Sequence, residues 1–238
     1  MTLLRHLALA TADPASLRGF YAETLGLPTG ETADGFAVAI GDSAMEFGRA
    51  EPGTEPTYHI AFTVPGGSID AAAEWLAARA DLLTDDGRER FRYEFLDATA
   101  VYALDQAGNV LELIARDSRD GTAEPFGPDS LLDIAEVGIV VDDVPAAATQ
   151  LQEQFGLQGS PDEEFAYLGG DDGAFVLVSP GRNWYPTDQP AAPAPLTVVA
   201  EGGEGVVSFD EGPVSVVAGG ETKKEFGPSA RGTAAKER

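Results

Sequence analysis

Residues 102–112, Tyr102-Ala-Leu-Asp105-Gln-Ala-Gly108-Asn109-Val-Leu-Glu112, indicate two strands joined by a tight turn. Apolar residues flank a segment rich in Asp, Gly and Asn, which is typical of a hairpin connection. Glu112 interrupts the second apolar run, and a carboxylate is costly to bury there without a charged partner. This hairpin predicts a β-sheet with a ligand-binding carboxylate on one face.

Three other short apolar runs contain one polar residue of the same kind. They hold His6, Glu46 and His59, and the two histidines are the only ones in the chain of 238 residues. Because side chains alternate across a strand, each of these residues shares a face with mostly small neighbours, while bulky residues occupy the other face. The pattern predicts a sheet curved around a cavity, with the imidazoles and carboxylates pointing into it.

Two imidazoles and two carboxylates form a nitrogen and oxygen donor set that suits zinc, nickel, iron(II), manganese or cobalt. We predict one divalent metal ion, of open identity, bound by His6, Glu46, His59 and Glu112. The sequence contains no cysteine, which excludes disulfides and thiolate ligands. A strand histidine taken singly is more often a packed core residue, so this prediction depends on the repeated context of all four.

A strand followed by a helix and further strands recurs along the chain. Residues 3–28 indicate a strand, a helix capped at Asp13 and a stop at Gly26, and residues 131–158 follow the same pattern. A weaker copy begins near Thr57, with a helix predicted over residues 69–82. Two or three short strands follow each of the three helices. The sequence predicts an α+β fold of tandem βαβββ units that form two domains of curved mixed sheets.

The second half of the chain departs from the pattern of the first. The predicted boundaries are 1–55 and 56–117 for the two units of a metal-binding domain, 118–130 for a polar linker, 131–220 for a shortened, degenerate domain, and 221–238 for a flexible tail. Residues of the second domain that correspond to the four ligands are Glu136, Val176, approximately Val198 and approximately Val216. We therefore expect this domain to bind no metal in the same manner.

Composition restricts the partners. The chain carries 40 acidic and 15 basic residues, a net charge of −25, yet 43% of its residues are hydrophobic. Such a charge repels nucleic acid and anionic membranes, and the composition resembles that of proteins from extreme halophiles. No apolar run approaches the roughly 20 residues that span a bilayer, and the start does not read as a signal peptide. We expect a cytoplasmic protein with a small-molecule partner, as a monomer or homodimer.

The order of elements and ligands resembles the vicinal-oxygen-chelate (VOC) superfamily, which includes glyoxalase I, bleomycin-resistance proteins and extradiol dioxygenases. The hairpin at residues 102–112 is similar to the hairpin that closes a unit in that family and carries a glutamate ligand. The resemblance implies a U-shaped sheet around one divalent ion with open positions. His6, Glu46, His59 and Glu112 match the four-ligand pattern of glyoxalase I.

The resemblance implies three functions. The first is a glyoxalase-like lyase or isomerase that acts on a hemithioacetal through an enediolate, with Glu46 and Glu112 as catalytic carboxylates. The second is an iron(II) extradiol dioxygenase, with His6, His59 and Glu112 as ligands and Tyr102 as an acid, although this sequence lacks the further histidine of that group. The third is a non-enzymatic binding or resistance protein.

The segment over residues 181–187 has a high density of side chains common in ligand recognition: Arg182, Trp184 and Tyr185. It could contact an anionic ligand or pack a loop between domains, and packing is the favoured interpretation.

Overall fold

The structure is a computed structural model and describes residues 2–209 and 214–219. The predicted flexible tail over residues 221–238 lies outside the described residues. Four successive units follow one another along the chain, each starting with a long strand, and the first three contain a helix. This confirms the predicted α+β fold of tandem βαβββ-type units.

The bounds of the elements follow the predicted repeat. Unit one comprises β1 (Leu4–Thr11), α1 (Pro14–Gly19), a π-helical turn (Phe20–Thr24), β2 (Thr29–Glu31), β3 (Gly35–Ile40) and β4 (Ser43–Arg49). Unit two comprises β5 (His59–Val64), a 3-10 turn (Gly66–Ser68), α2 (Ile69–Ala77), β6 (Phe91–Tyr93), a 3-10 turn (Glu94–Leu96), β7 (Ala98–Leu104) and β8 (Val110–Arg116). After a 3-10 turn (Pro128–Ser130), unit three comprises β9 (Asp133–Val140), α3 (Val144–Phe155), β10 (Phe165–Gly170) and β11 (Gly173–Val178). Unit four comprises β12 (Leu196–Ala200), β13 (Val206–Phe209) and β14 (Val214–Ala218).

Side-chain caps and turns form where the sequence indicates them. Asp13 and Asp143 accept hydrogen bonds from the first turns of α1 and α3, and Gly156 ends α3 in the left-handed conformation. In the hairpin between β7 and β8, the buried carboxylate of Asp105 accepts hydrogen bonds from the backbone N–H groups of Ala107 and Asn109. The turn is therefore fixed by its own side chain.

Helix α2 ends at Ala77, five residues before the predicted end. The chain leaves the helix because Leu82 forms a bridge with Ala103, and the N–H of Leu83 donates to the carbonyl oxygen of Tyr102. Pairing with β7 therefore competes with the helix for these backbone groups.

The pairing of the units joins strands from both sides of the predicted linker at residues 118–130. Strand β1 pairs with β12, whereas β5 pairs with β9, so unit one packs with unit four and unit two with unit three. Strands β5 and β9 are buried along almost their whole length, while β1 and β12 each have a half-exposed face. Strands with the same exposure thus lie side by side. The predicted division of the chain at the linker stays a prediction, and strand pairing crosses it.

Two apolar layers flank the sheet. The larger lies under the helices and includes Leu17, Trp75 and Leu151. The smaller lies on the concave face of units two and three and includes Tyr102 and Trp184. No helix among the described residues has the length and apolarity to span a bilayer.

Candidate functional site

The site lies on three neighbouring strands, β8, β5 and β9. Glu112 on β8 and Glu136 on β9 both pair with Ala61 on the central strand, so the three residues form one row across the sheet. His59 lies two residues before Ala61 and points to the same face. The small side chain of Ala61 leaves space between the two carboxylates, which therefore share one concave surface with the imidazole.

This surface carries a cavity of about 260 Å³, which His59, Glu112 and Glu136 line together. Nε2 of His59 lies 2.9 Å from Oε2 of Glu112, and both side chains are buried. Burial alone would lower the pKa of His59, but the hydrogen bond and the charge of Glu112 outweigh it, so the pKa is raised. The two side chains consequently form a buried pair that favours the charged imidazolium.

Glu136 is held by two buried side chains. Its Oε1 accepts hydrogen bonds from Nη2 of Arg116 at 2.7 Å and from the hydroxyl of Tyr167 at 3.0 Å. Arg116 is fully buried, and its Nε and Nη1 have no hydrogen-bond partner within the described part of the chain. Burial and the negative charge of Glu112 raise the pKa of Glu136 to about 7, against the opposing charge of Arg116. Glu136 can therefore exchange a proton near neutral pH.

Two tyrosine hydroxyls lie on the unit-two side of the cavity. Tyr102 pairs directly with Glu112 across β7 and β8, and its hydroxyl lies 2.7 Å from that of Tyr93. Burial is the main cause that raises the pKa of both phenols. Both hydroxyls therefore stay protonated. One donates to the other, and the remaining hydrogen can be donated into the cavity.

Trp184 closes the side of the cavity that unit three forms. Its ring packs directly over Gly138, where an added Cβ would lie 2.6 Å from Cη2, and its centroid lies 5.9 Å from that of His59. Val176, which pairs with Gly138, also lines the cavity. In unit three, the row that corresponds to Ala61 and Glu112 thus carries a glycine and a valine beneath an indole ring, and no carboxylate.

Comparison with solved structures gives matches over most of the chain. A "putative dioxygenase" from Bacillus subtilis matches with a TM-score of 0.56 and 14% identity, over 88% of this chain and 71% of that chain. Glyoxalase I from Zea mays matches with a TM-score of 0.51 and 17% identity, over 84% and 75%. The chain has the fold of the vicinal-oxygen-chelate superfamily. Comparison with protein-family models and with curated protein sequences gives no match.

The sheet contains a second, more open histidine and glutamate pair, in unit one. Nε2 of His6 lies 3.9 Å from Oε2 of Glu46, and both side chains are partly exposed. Glu46 pairs with Ala8, as Glu112 pairs with Ala61, but the residue on the far side of Ala8 is Thr197. A threonine therefore stands at the strand position that corresponds to Glu136 in the other half.

The structure does not bring the four predicted ligands into one site. His6 and Glu46 form one pair and His59 and Glu112 another, because β9 lies between β1 and β5 in the sheet. Among the described residues, no group of three or more His, Asp or Glu side chains is arranged to hold a metal ion. Of the residues predicted to be functional, the cavity contains His59, Glu112 and Tyr102.

Sequence reasoning missed Arg116 and Tyr167, and it assigned Glu136 to a half that was expected to bind no metal in the manner of the first half. The alignment of Glu136 with His6 was a signal, as was its position as a carboxylate within the apolar run of residues 134–141. Arg116 also had a signal, because it lies four residues after Glu112 in the same strand and therefore on the same face. A buried cation there indicates a second buried anion nearby.

Proposed function

We propose that the protein is a divalent-metal-dependent enzyme that moves a proton at a carbon next to a substrate oxygen, a lyase or isomerase of the glyoxalase type. The observation that carries this proposal is the row of Glu112, Ala61 and Glu136, with His59 beside it, on the wall of one cavity. The VOC fold supports a small-molecule substrate.

The chemistry of the donor set fits a metal ion. His59 and Glu112 would hold the ion, because Nε2 of His59 and Oε2 of Glu112 lie 2.9 Å apart and imidazole nitrogens and carboxylate oxygens are both ligands of such ions. Oε2 of Glu136 would stay available to the substrate, because both hydrogen bonds described for this carboxylate go to Oε1. An ion at these residues would stabilise negative charge that develops on a substrate oxygen.

Proton transfer is assigned to Glu136. Its Oε2 would accept the proton from the substrate carbon and return it to the adjacent carbon, while Arg116 and Tyr167 hold Oε1 in place. The pKa of about 7 suits a group that both accepts and returns a proton. The hydroxyl pair of Tyr93 and Tyr102 would orient the substrate by donating the one hydrogen that their mutual hydrogen bond leaves free.

Ring cleavage by a dioxygenase is less consistent with this cavity. Iron(II) oxygenases of that class use two histidines and one carboxylate. Strand β5 pairs with β9 and not with β1, so the cavity is lined by His59 and by two glutamates, without His6. The donor set is richer in oxygen than a dioxygenase site.

A second candidate is a binding or sequestering protein that needs no metal. It is favoured by the ion pair between Arg116 and Glu136, at 2.7 Å, and by the pair between His59 and Glu112. In this interpretation the four charges balance one another, and the cavity binds its ligand through its aromatic walls.

The test uses hemithioacetals formed from methylglyoxal or phenylglyoxal and a low-molecular-weight thiol. In deuterated solvent, an enzyme of the proposed type forms the 2-hydroxy thioester with some deuterium at the carbon that receives the proton. Glu136→Gln should lower kcat by roughly 10²- to 10⁴-fold and leave KM within a few-fold. Absence of turnover with every divalent ion, by a protein that still binds small aromatic molecules, would favour the sequestering function.

A further inference from the structure

The walls of the cavity are mainly aromatic. Seven of its fifteen lining residues are Phe, Tyr or Trp, contributed both by unit two and by unit three with the segment that follows it. The rings pack edge to face, with centroids 6.2 Å apart for Tyr102 and Tyr185 and 5.8 Å apart for Phe95 and Tyr167. Packed aromatic rings favour a flat, polarisable ligand over a flexible chain.

The size of the cavity limits the ligand. Pockets for drug-sized ligands usually enclose about 300–1,000 Å³, and this cavity encloses about 260 Å³. One or two fused rings match this volume. A tripeptide thiol adduct, with its two carboxylates, is too large and needs more cationic partners than the wall offers.

Cationic side chains are scarce at the cavity. Arg182 is the one lysine or arginine among the described lining residues. Its guanidinium lies 5.1 Å from the ring centroid of Phe165 and 3.9 Å from Glu164, and its side chain is 43% exposed. Arg182 can therefore meet one anionic group at the cavity mouth, but not two separate carboxylates.

Trp184 supplies an unused donor. Its Nε1–H is buried and has no hydrogen-bond partner within the described residues, although the side chain is only 3% exposed and lines the cavity. Buried donors are nearly always satisfied in proteins. An acceptor oxygen on a bound ligand would complete this hydrogen bond.

We infer that the ligand of this cavity is a compact aromatic molecule of one or two rings that carries an anionic oxygen, a carboxylate or a phenolate. The ring lies among the tyrosines and Trp184, and the oxygen accepts from Nε1–H of Trp184 or pairs with Arg182. The inference rests on the proposed function and narrows its substrate to hemithioacetals that carry an aromatic ring, as the phenylglyoxal adduct does, and an anionic group on the ring or on the thiol part. Its test uses chelator-treated protein, so failure of the metal-dependent reaction does not affect the outcome.

The experiment uses Trp75→Phe protein, in which Trp184 is the remaining tryptophan. Trp75 packs against Phe126 and Arg79, away from the cavity. Fluorescence is titrated with salicylate, with 2-naphthoate, with cyclohexanecarboxylate as a non-aromatic acid of similar size, and with S-hexylglutathione as a tripeptide adduct. We expect both aromatic acids to quench Trp184 and to bind roughly tenfold more tightly than cyclohexanecarboxylate. S-hexylglutathione should not bind.

A second variant tests the donor. Trp184→Phe keeps an aromatic ring and removes the N–H, so calorimetry should show roughly fivefold weaker binding of 2-naphthoate, the value of one hydrogen bond. Equal affinity for the aromatic and non-aromatic acids, tight binding of S-hexylglutathione, or no binding of any aromatic acid would each overturn the inference. The ligand series in Trp75→Phe protein gives this answer even if Trp184→Phe does not fold.

Discussion

The contact between Trp184 and Gly138 gives a sharp prediction about the cavity wall. In Gly138→Ala, the new Cβ would lie 2.6 Å from Cη2 and 2.8 Å from Cζ3 of Trp184, and 3.0 Å from Cβ of His59. Carbon atoms in ordinary contact lie about 3.5–4.0 Å apart, so the indole must move by roughly 1 Å. The backbone is not an obstacle, since Gly138 is not among the glycines with positive φ.

Overpacking of this kind lowers the free energy of unfolding by about 1–3 kcal/mol. The control is Gly48→Ala in β4, where the nearest atom to the new Cβ is the carbonyl oxygen of Leu9 at 3.9 Å. Both substitutions reduce the entropy of the unfolded chain to the same extent, so the difference between them measures the clash. Urea unfolding, with the emission of Trp184 as a second probe, gives both free energies.

The double variant Gly138→Ala with Trp184→Leu completes the test. Once the indole is absent, the added methyl group has space, and Gly138→Ala should then lower stability no more than Gly48→Ala does. We expect a coupling energy of about 1–3 kcal/mol between the two positions. Equal stabilities for the two glycine variants, or strict additivity in the double variant, would refute the position of Trp184 over unit three.

Three further predictions concern buried polar groups. Because the pKa of Glu136 is raised from 4.5 to about 7, its contribution to stability is fully present below about pH 4.5 and is lost as the pH rises through 7. Urea unfolding of metal-free protein should show that the free energy of unfolding falls by about 3 kcal/mol over this range, and Glu136→Gln should remove this fall. The same dependence of the free energy of unfolding on pH in both proteins would contradict this. Arg116→Met leaves a buried carboxylate without its cation and should lower the free energy of unfolding by about 3–5 kcal/mol at pH 8. The double variant Arg116→Met/Glu136→Gln should regain part of this stability. If the losses of the two single variants simply add in the double variant, the pair is not coupled. Tyr58→Phe removes the hydroxyl that accepts from the N–H of Ala10 and donates to the carbonyl oxygen of Pro195. Chemical denaturation at neutral pH should therefore show a free energy of unfolding lower by about 1–3 kcal/mol. An unchanged denaturation midpoint would show that these two hydrogen bonds do not stabilise the fold.

The sequence is sufficient for the local elements of this fold. The hairpin at residues 102–112 forms because Asp105 hydrogen-bonds its own turn, and the helices begin at Asp13 and Asp143 because these side chains cap the first turn. Such interactions connect residues close in sequence, and their residue types are visible in the chain. His59, Glu112 and Tyr102 share the cavity for the same reason, since strand alternation places them on one face.

The choice of partner strands could not be predicted in this way. Alternation gives the face of each residue, but it does not tell whether β5 pairs with β1 or with β9. That choice depends on burial of both faces, and His59 therefore shares its cavity with Glu136 and not with His6. Arg116 was missed for a related reason, because its partner Glu136 lies 20 residues away on another strand.

The most direct test of the account is the stoichiometry of divalent metal in three variants. Protein purified without chelator and reloaded with Mn²⁺, Ni²⁺ or Zn²⁺ is analysed by elemental analysis and isothermal titration. The account predicts about one ion per chain, lost in His59→Ala and in Glu112→Gln and retained in His6→Ala. Loss of the ion in His6→Ala with retention in Glu112→Gln would contradict the assignment of the site to units two and three.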